Sequence, residues 1–162
     1  MKKLTLMIAM LFVGVIGLFA QTENESFYEQ TSVQRIMLQA AEEVVSAENT
    51  LNLEIVHLQI DLCIGTEWKY TFRNLSSSWT YLIYAEGENT QIVDLDLKVM
   101  TISSVTGEWE EVASDVTSDF AGGVTVSPTE GRQYAFGVKA AEYVEGWSAS
   151  HYFIMIAHKK PQ

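Results

Sequence analysis

The feature that most limits what this chain can fold into is a change of period at Asn52. Before it, Val33, Ile36, Met37, Ala40, Ala41, Val44 and Val45 recur every three or four residues, with Gln34, Arg35, Glu42 and Glu43 lying mainly away from them. That is the stripe of an amphipathic helix. Thr31 and Gln34 stand at capping-box spacing ahead of it, so the helix is expected over 32–48, with Asn49 as its stop. After Asn52 the apolar positions alternate with period 2, and no second helical segment follows. A chain with one helix and then only strands cannot build parallel βαβ units, which leaves antiparallel layers.

Seven stripes carry the alternation. Val56, Leu58, Ile60, Leu62 and Ile64 alternate with His57, Gln59, Asp61 and Cys63, although Leu51, Ile55, Leu58 and Leu62 also fit a short helix. Then come Trp68, Tyr70 and Phe72; Trp79, Tyr81 and Ile83; Val93, Leu95, Leu97 and Val99; Val124 and Val126; Tyr134, Phe136 and Val138; and Tyr152, Ile154 and Ile156. Ser76-Ser77-Ser78, Gly87-Glu88-Asn89, Thr106-Gly107, Gly122-Gly123 and Glu130-Gly131 read as turns between them. The expected fold is mainly β, an antiparallel β-sandwich of jelly-roll type with one N-terminal amphipathic helix. The Trp68 and Trp79 stripes are expected in its core.

The first residues read as an export signal. Lys2 and Lys3 precede an apolar run from Leu4 to Ala20, and the polar Gln21-Thr22-Glu23 follows without a basic stop-transfer cluster. The expected organisation is a cleaved signal peptide at 1–20, a loosely held segment at 21–31 and one domain at 32–162. Such a chain acts in the periplasm or as a secreted protein, with no membrane span left after cleavage. Without the two signal lysines, 8 basic residues face 21 acidic ones. No basic stripe exists, which argues against nucleic acid as a partner. The single cysteine, Cys63, has no intramolecular disulfide partner and is expected to be buried.

From Leu58 onward the order of motifs resembles the bacterial pre-peptidase C-terminal (PPC-type) domains. The resemblance rests on Trp68-Lys69-Tyr70-Thr71-Phe72, Thr80-Tyr81-Leu82-Ile83, Asp94-Leu95-Asp96-Leu97-Lys98-Val99, the segment from Pro128 to Val138, and Tyr152-Phe153-Ile154. Asp115 and Asp119 stand where that family often places aspartates. The resemblance covers about two-thirds of the chain after residue 20. It implies a β-sandwich that accompanies secreted proteases or is exported alone, and some members of the family bind calcium.

The candidate chemistry is sparse. Asp94 and Asp96, two apart on a strand, point to one face about 7 Å apart and repel unless a cation or hydrogen-bond donors intervene. A Ca²⁺ ion drawing further oxygens from Asp115 and Asp119 is one solution; Asx-type bracing of loop amides is the other. Trp109, Trp147 and Tyr143 fall at loop or strand-edge positions suited to stacking on a ligand, or to plugging the ends of the sandwich. His57, His151 and His158 are scattered without zinc spacing, and no serine or cysteine nucleophile motif occurs. The expectation is therefore a non-catalytic binding or accessory module for a polysaccharide, peptide or envelope protein. A small secreted hydrolase using strand or loop carboxylates is the alternative.

Overall fold

The computed structural model describes residues 31–159, so the expected export signal at 1–20 and most of the expected segment at 21–31 lie outside the described residues. Helix α1 spans Ser32–Asn49. Its capping box forms as expected, with the Thr31 side chain accepting from the Gln34 amide and the Gln34 side chain returning to the Thr31 amide. Eight strands follow: β1 (Leu53–Ile64), β2 (Lys69–Leu75), β3 (Tyr81–Gly87), β4 (Ile92–Ile102), β5 (Trp109–Asp115), β6 (Ala121–Val126), β7 (Arg132–Tyr143) and β8 (Ala149–Lys159). They form two four-stranded sheets in the orders β1-β8-β3-β6 and β2-β7-β4-β5, with every pair antiparallel. Consecutive strands from β1 to β4 alternate between the sheets, and β5–β8 do the same, as in a jelly roll.

The space between the sheets is filled by one face of each central strand. Ile83 and Ala85 of β3, Leu95, Leu97 and Val99 of β4, Phe136 and Val138 of β7, and Ile154 and Ile156 of β8 are buried there. A second apolar cluster lies on the outer face of the first sheet, under α1. Ile36, Ala40 and Ala47 of the helix pack on Phe153, Met155 and Ala157 of β8. One side of β8 thus fills the sandwich and the other receives the helix, which is why its residues from Tyr152 to Ala157 are all buried. The polar flank of α1 is fastened as well. Arg35 Nε donates to Glu88 Oε1 at 2.8 Å, and Glu88 is fully buried with Thr90 bonded to both of its oxygens.

At the open edge the sandwich is closed by polar side chains. The inward row of β1 meets the inward row of β2: Arg73 donates to His57 Nδ1 at 3.1 and 3.3 Å, Thr71 Oγ1 donates to Gln59 Oε1 at 3.0 Å, and Lys69 Nζ donates to Asp61 Oδ1 at 2.9 Å. The apolar alternates of both strands consequently face outward. Val56, Leu58, Ile60 and Ile64 are 37–61% exposed, and Tyr70 and Phe72 are 41% and 47% exposed.

Several sequence-based expectations are corrected here. The alternation after Asn52 does form a strand, and the short helix that also fitted it does not form. The Trp68-Tyr70-Phe72 stripe lies on an outer face, not in the core; Trp79, partly buried, does pack against the core. Register shifts around Asp94 turn Val93 outward and put Ile92 in the core row in its place. Gly122 and Gly123 lie within β6 and do not form a turn. Cys63 is free and fully buried as expected, and burial pushes its thiol up to about 11. No helix among the described residues is long and apolar enough to cross a membrane.

Two outcomes are expected from this packing. Glu88→Ala removes a buried carboxylate from under Arg35 and lowers stability by about 3 kcal/mol in urea unfolding; a loss below about 1 kcal/mol would mean that the apolar stripe alone holds the helix. Burial, with the adjacent Arg73 guanidinium, holds the His57 pKa below its ordinary value. The unfolded chain therefore takes up this proton first, and the stability contributed by neutral His57 is full above about pH 6.5 and lost as pH falls towards the folded pKa. His57→Gln should flatten the fall of the thermal midpoint just below that pH.

Candidate functional site

The strands of the second sheet carry an aromatic platform on their outward face. The residues of β7 that face outward at its centre are Ala135 and Gly137, so the middle of the sheet is low. Register places Phe72 and Met100 on either side of Ala135, and Tyr70 and Lys98 on either side of Gly137. Larger side chains lean over this trough. A Cβ on Gly137 would stand 2.8 Å from the Tyr70 ring and 3.1 Å from both the Lys98 side chain and the Trp68 ring.

Two ring pairs result. Trp68 and Tyr70 stack with centroids 6.4 Å apart and 28° between planes. Phe72 on β2 and Trp109 on β5, strands at opposite edges of the sheet, meet over Ala135 at 5.8 Å and 58°. Tyr70, Phe72, Met100, Trp109 and Ala135 together line a hollow of about 190 Å³. Lys98 Nζ lies 4.0 Å from the Trp68 centroid and 5.4 Å from that of Tyr70, while Lys139 Nζ lies 5.0 Å from Trp68. These cations cover the Trp68 end by cation–π attraction. The Phe72–Trp109 end has no charged group in its lining.

A larger hollow, about 570 Å³, opens beside Trp79, between Leu51, Leu53, Tyr81, Leu82 and Lys159. Size alone would favour it. Its one indole, however, is already stacked on His158 at 4.3 Å and 15° and packs against the core. The platform is where several half-exposed aromatic rings lie together.

Of the expected ligand-binding residues, Trp109 belongs to the platform and the other two do not. Trp109 pairs with Ile102, near the start of β7, whereas Trp147 is an exposed loop residue after the far end of β7. Tyr143 is a brace, its hydroxyl donating to the Gly65 carbonyl at 2.9 Å. Tyr70 and Phe72, which the alternation alone places in the core, complete the platform. The small outward residues of β7 were the signal that something large lies over that face.

Asp94 and Asp96 lie side by side on β4, and Asp115 and Asp119 lie on the β5–β6 connection next to it. Asp96 is almost fully buried and forms an ion pair with Lys139. Asp94 sits beside it; burial and then the charges of Asp96 and Glu142 raise its pKa, against the pull of Lys139. Asp115 accepts from the Thr117 hydroxyl at 2.7 Å, the Thr117 amide at 3.2 Å and the Gly123 amide at 3.0 Å, and these bonds lower its pKa. Asp119 accepts from the Phe120 amide at 2.7 Å, and its own carbonyl holds the Leu95 amide. Asp115 and Asp119 thus brace the β5–β6 connection and its contact with β4. Among the described residues no group of three or more His, Cys, Asp or Glu side chains is placed to hold a metal ion. The expected outcome is one thermal midpoint, within about a degree, in millimolar calcium and in EDTA; an ion held at a hundredfold excess over its Kd would add about 2.7 kcal/mol and several degrees.

No family model matches the chain, and no curated protein matches it. Similar solved structures include a Yersinia pseudotuberculosis-derived mitogen, at 12% identity and TM-score 0.45 over 68% of this chain and 88% of that one. A protein from Sulfurospirillum deleyianum is similar at 8% and 0.42, over 65% of this chain and 99% of that one. A periplasmic inhibitor of g-type lysozyme from Aeromonas hydrophila is similar at 9% and 0.41, over 64% and 85%. At these identities and scores none of them lends this chain a function.

Proposed function

We propose that this chain is an exported, non-catalytic β-sandwich that binds a neutral polysaccharide on the outer face of its second sheet, in the periplasm or as a secreted protein. The observation that carries the proposal is the Phe72–Trp109 pair, two half-exposed rings meeting over Ala135 with Tyr70 and Met100 beside them. Ring faces presented to water at fixed spacing suit the apolar faces of sugar rings, which bring hydroxyls at their edges and little apolar area elsewhere. A net charge of −11 over the whole chain disfavours polyanions, so the ligand is neutral. The chain binds without cutting. Asp96 is committed to Lys139, and neither the platform hollow nor the hollow beside Trp79 has a carboxylate in its lining. The resemblance to exported PPC-type domains and the export signal support the same setting.

Affinity electrophoresis through gels containing soluble neutral polysaccharides tests this directly. Retardation is expected in at least one, with Trp109→Ala and Phe72→Ala each weakening it about tenfold or more. Both residues are more than one-third exposed, so the thermal midpoints should stay near that of the parent. Unretarded migration in every neutral polysaccharide would sink the proposal. Retardation that survives both substitutions would move the ligand off this platform.

A further inference from the structure

Strand β1 is twelve residues long, lies at the edge of its sheet and pairs among the described residues with β8 alone. Its other side therefore offers a row of backbone donors and acceptors to another strand. The outward side chains on this strand are apolar: Leu58 is 41% and Ile60 37% exposed. On the flank of α1 away from Arg35 and Gln39, Val33 and Met37 are also exposed. Edge strands that must remain single are usually short, bulged or charged; this one is long, its register shift lies towards one end, and between 57 and 61 its outward side chains are uncharged.

We propose that the chain forms a twofold homodimer by antiparallel pairing of β1 with β1 of a second copy, centred on Gln59. The sequence of the strand is self-complementary about that residue. Gln59 stands opposite the partner's Gln59, Leu58 opposite the partner's Ile60, and His57 opposite the partner's Asp61. Both Leu58–Ile60 pairs lie on the outer face, where directly opposed side chains approach to about 5 Å between Cβ atoms. Both His57–Asp61 pairs lie on the inner face, next to Arg73 and Lys69, so each carboxylate meets positive or neutral groups. Arg73 and Lys69 beside the seam offset locally the repulsion between two copies that each carry 8 basic against 21 acidic residues after residue 20. The register shift between Ile55 and His57 ends the seam on one side, and the twofold axis repeats that end on the other. Pairing therefore runs over 57–61. Moving the centre two residues along the strand would set His57 against His57 or Asp61 against Asp61, losing the match.

Sedimentation of residues 21–162, which contain the whole folded unit, tests the dimer. The expected result is a mass twice that of the chain at tens of micromolar, falling towards the monomer on dilution. Leu58→Glu and Ile60→Lys should each give monomer at every concentration while keeping the parent thermal midpoint, since both side chains are already more than one-third exposed. The double variant L58E/I60K should dimerise again, because each introduced carboxylate then faces an introduced ammonium on the partner. A parent chain that stays monomeric overturns the proposal and leaves the strand to a different partner. A dimer indifferent to both single substitutions also overturns it, and a double variant that stays monomeric overturns the Gln59-centred register.

Discussion

The arrangement depends on three polar rungs between β1 and β2. These strands belong to different sheets, and at the edge where they face each other the sandwich has no apolar filling. His57 to Arg73, Gln59 to Thr71 and Asp61 to Lys69 close the gap. Each rung pairs polar groups across this half-exposed edge, and together they fix which face of each strand is inside. Once that is settled, alternation leaves no freedom. Leu58 and Ile60 must emerge on one outer face, and Tyr70 and Phe72 on the other.

The two outer faces are then finished differently. The first sheet is covered by α1, held by an apolar stripe over β8 and by the ion pair to a buried glutamate. Among the described residues no helix lies over the second sheet. Its central strand β7 shows Ala135 and Gly137 outward, so the rings from β2 and β5 cover the sheet themselves without being covered in turn. A face that is neither sealed nor polar is where a ligand gains most by displacing water. The asymmetry between the faces thus comes from a helix on one side and small residues on the other.

Much of the fold was legible in the sequence because it rests on periodicity. The helix and its capping box, the run of antiparallel strands and the burial of Cys63 all follow from local pattern. What alternation does not contain is which of two faces is inside, and the platform was missed there. The information was present in another form. The rung partners 57 and 73, 59 and 71, and 61 and 69 are symmetric about Gly65, a residue with φ of +58° at the corner between the sheets. Polar types matched in reverse order around a glycine corner mark two inward rows facing each other. The bulges at Asp94 were less accessible, since register shifts come from the partner strand. Gly122 and Gly123 misled for a different reason. They are strand residues beside the Asp115 carboxyl and the Tyr84 ring, where a Cβ would meet either group only at ordinary contact distance.

The burial of Cys63 has a consequence for how this chain can be observed. With its thiol pushed up to about 11, only about one molecule in ten thousand carries the thiolate at neutral pH, and the surrounding core excludes reagents as well. The folded protein is therefore inert towards disulfide exchange even in an oxidising compartment, while any opening that admits solvent between the sheets exposes a reactive sulfur. The cysteine acts as a built-in clock. The rate at which it is modified under native conditions measures how often the sandwich opens, without an introduced label.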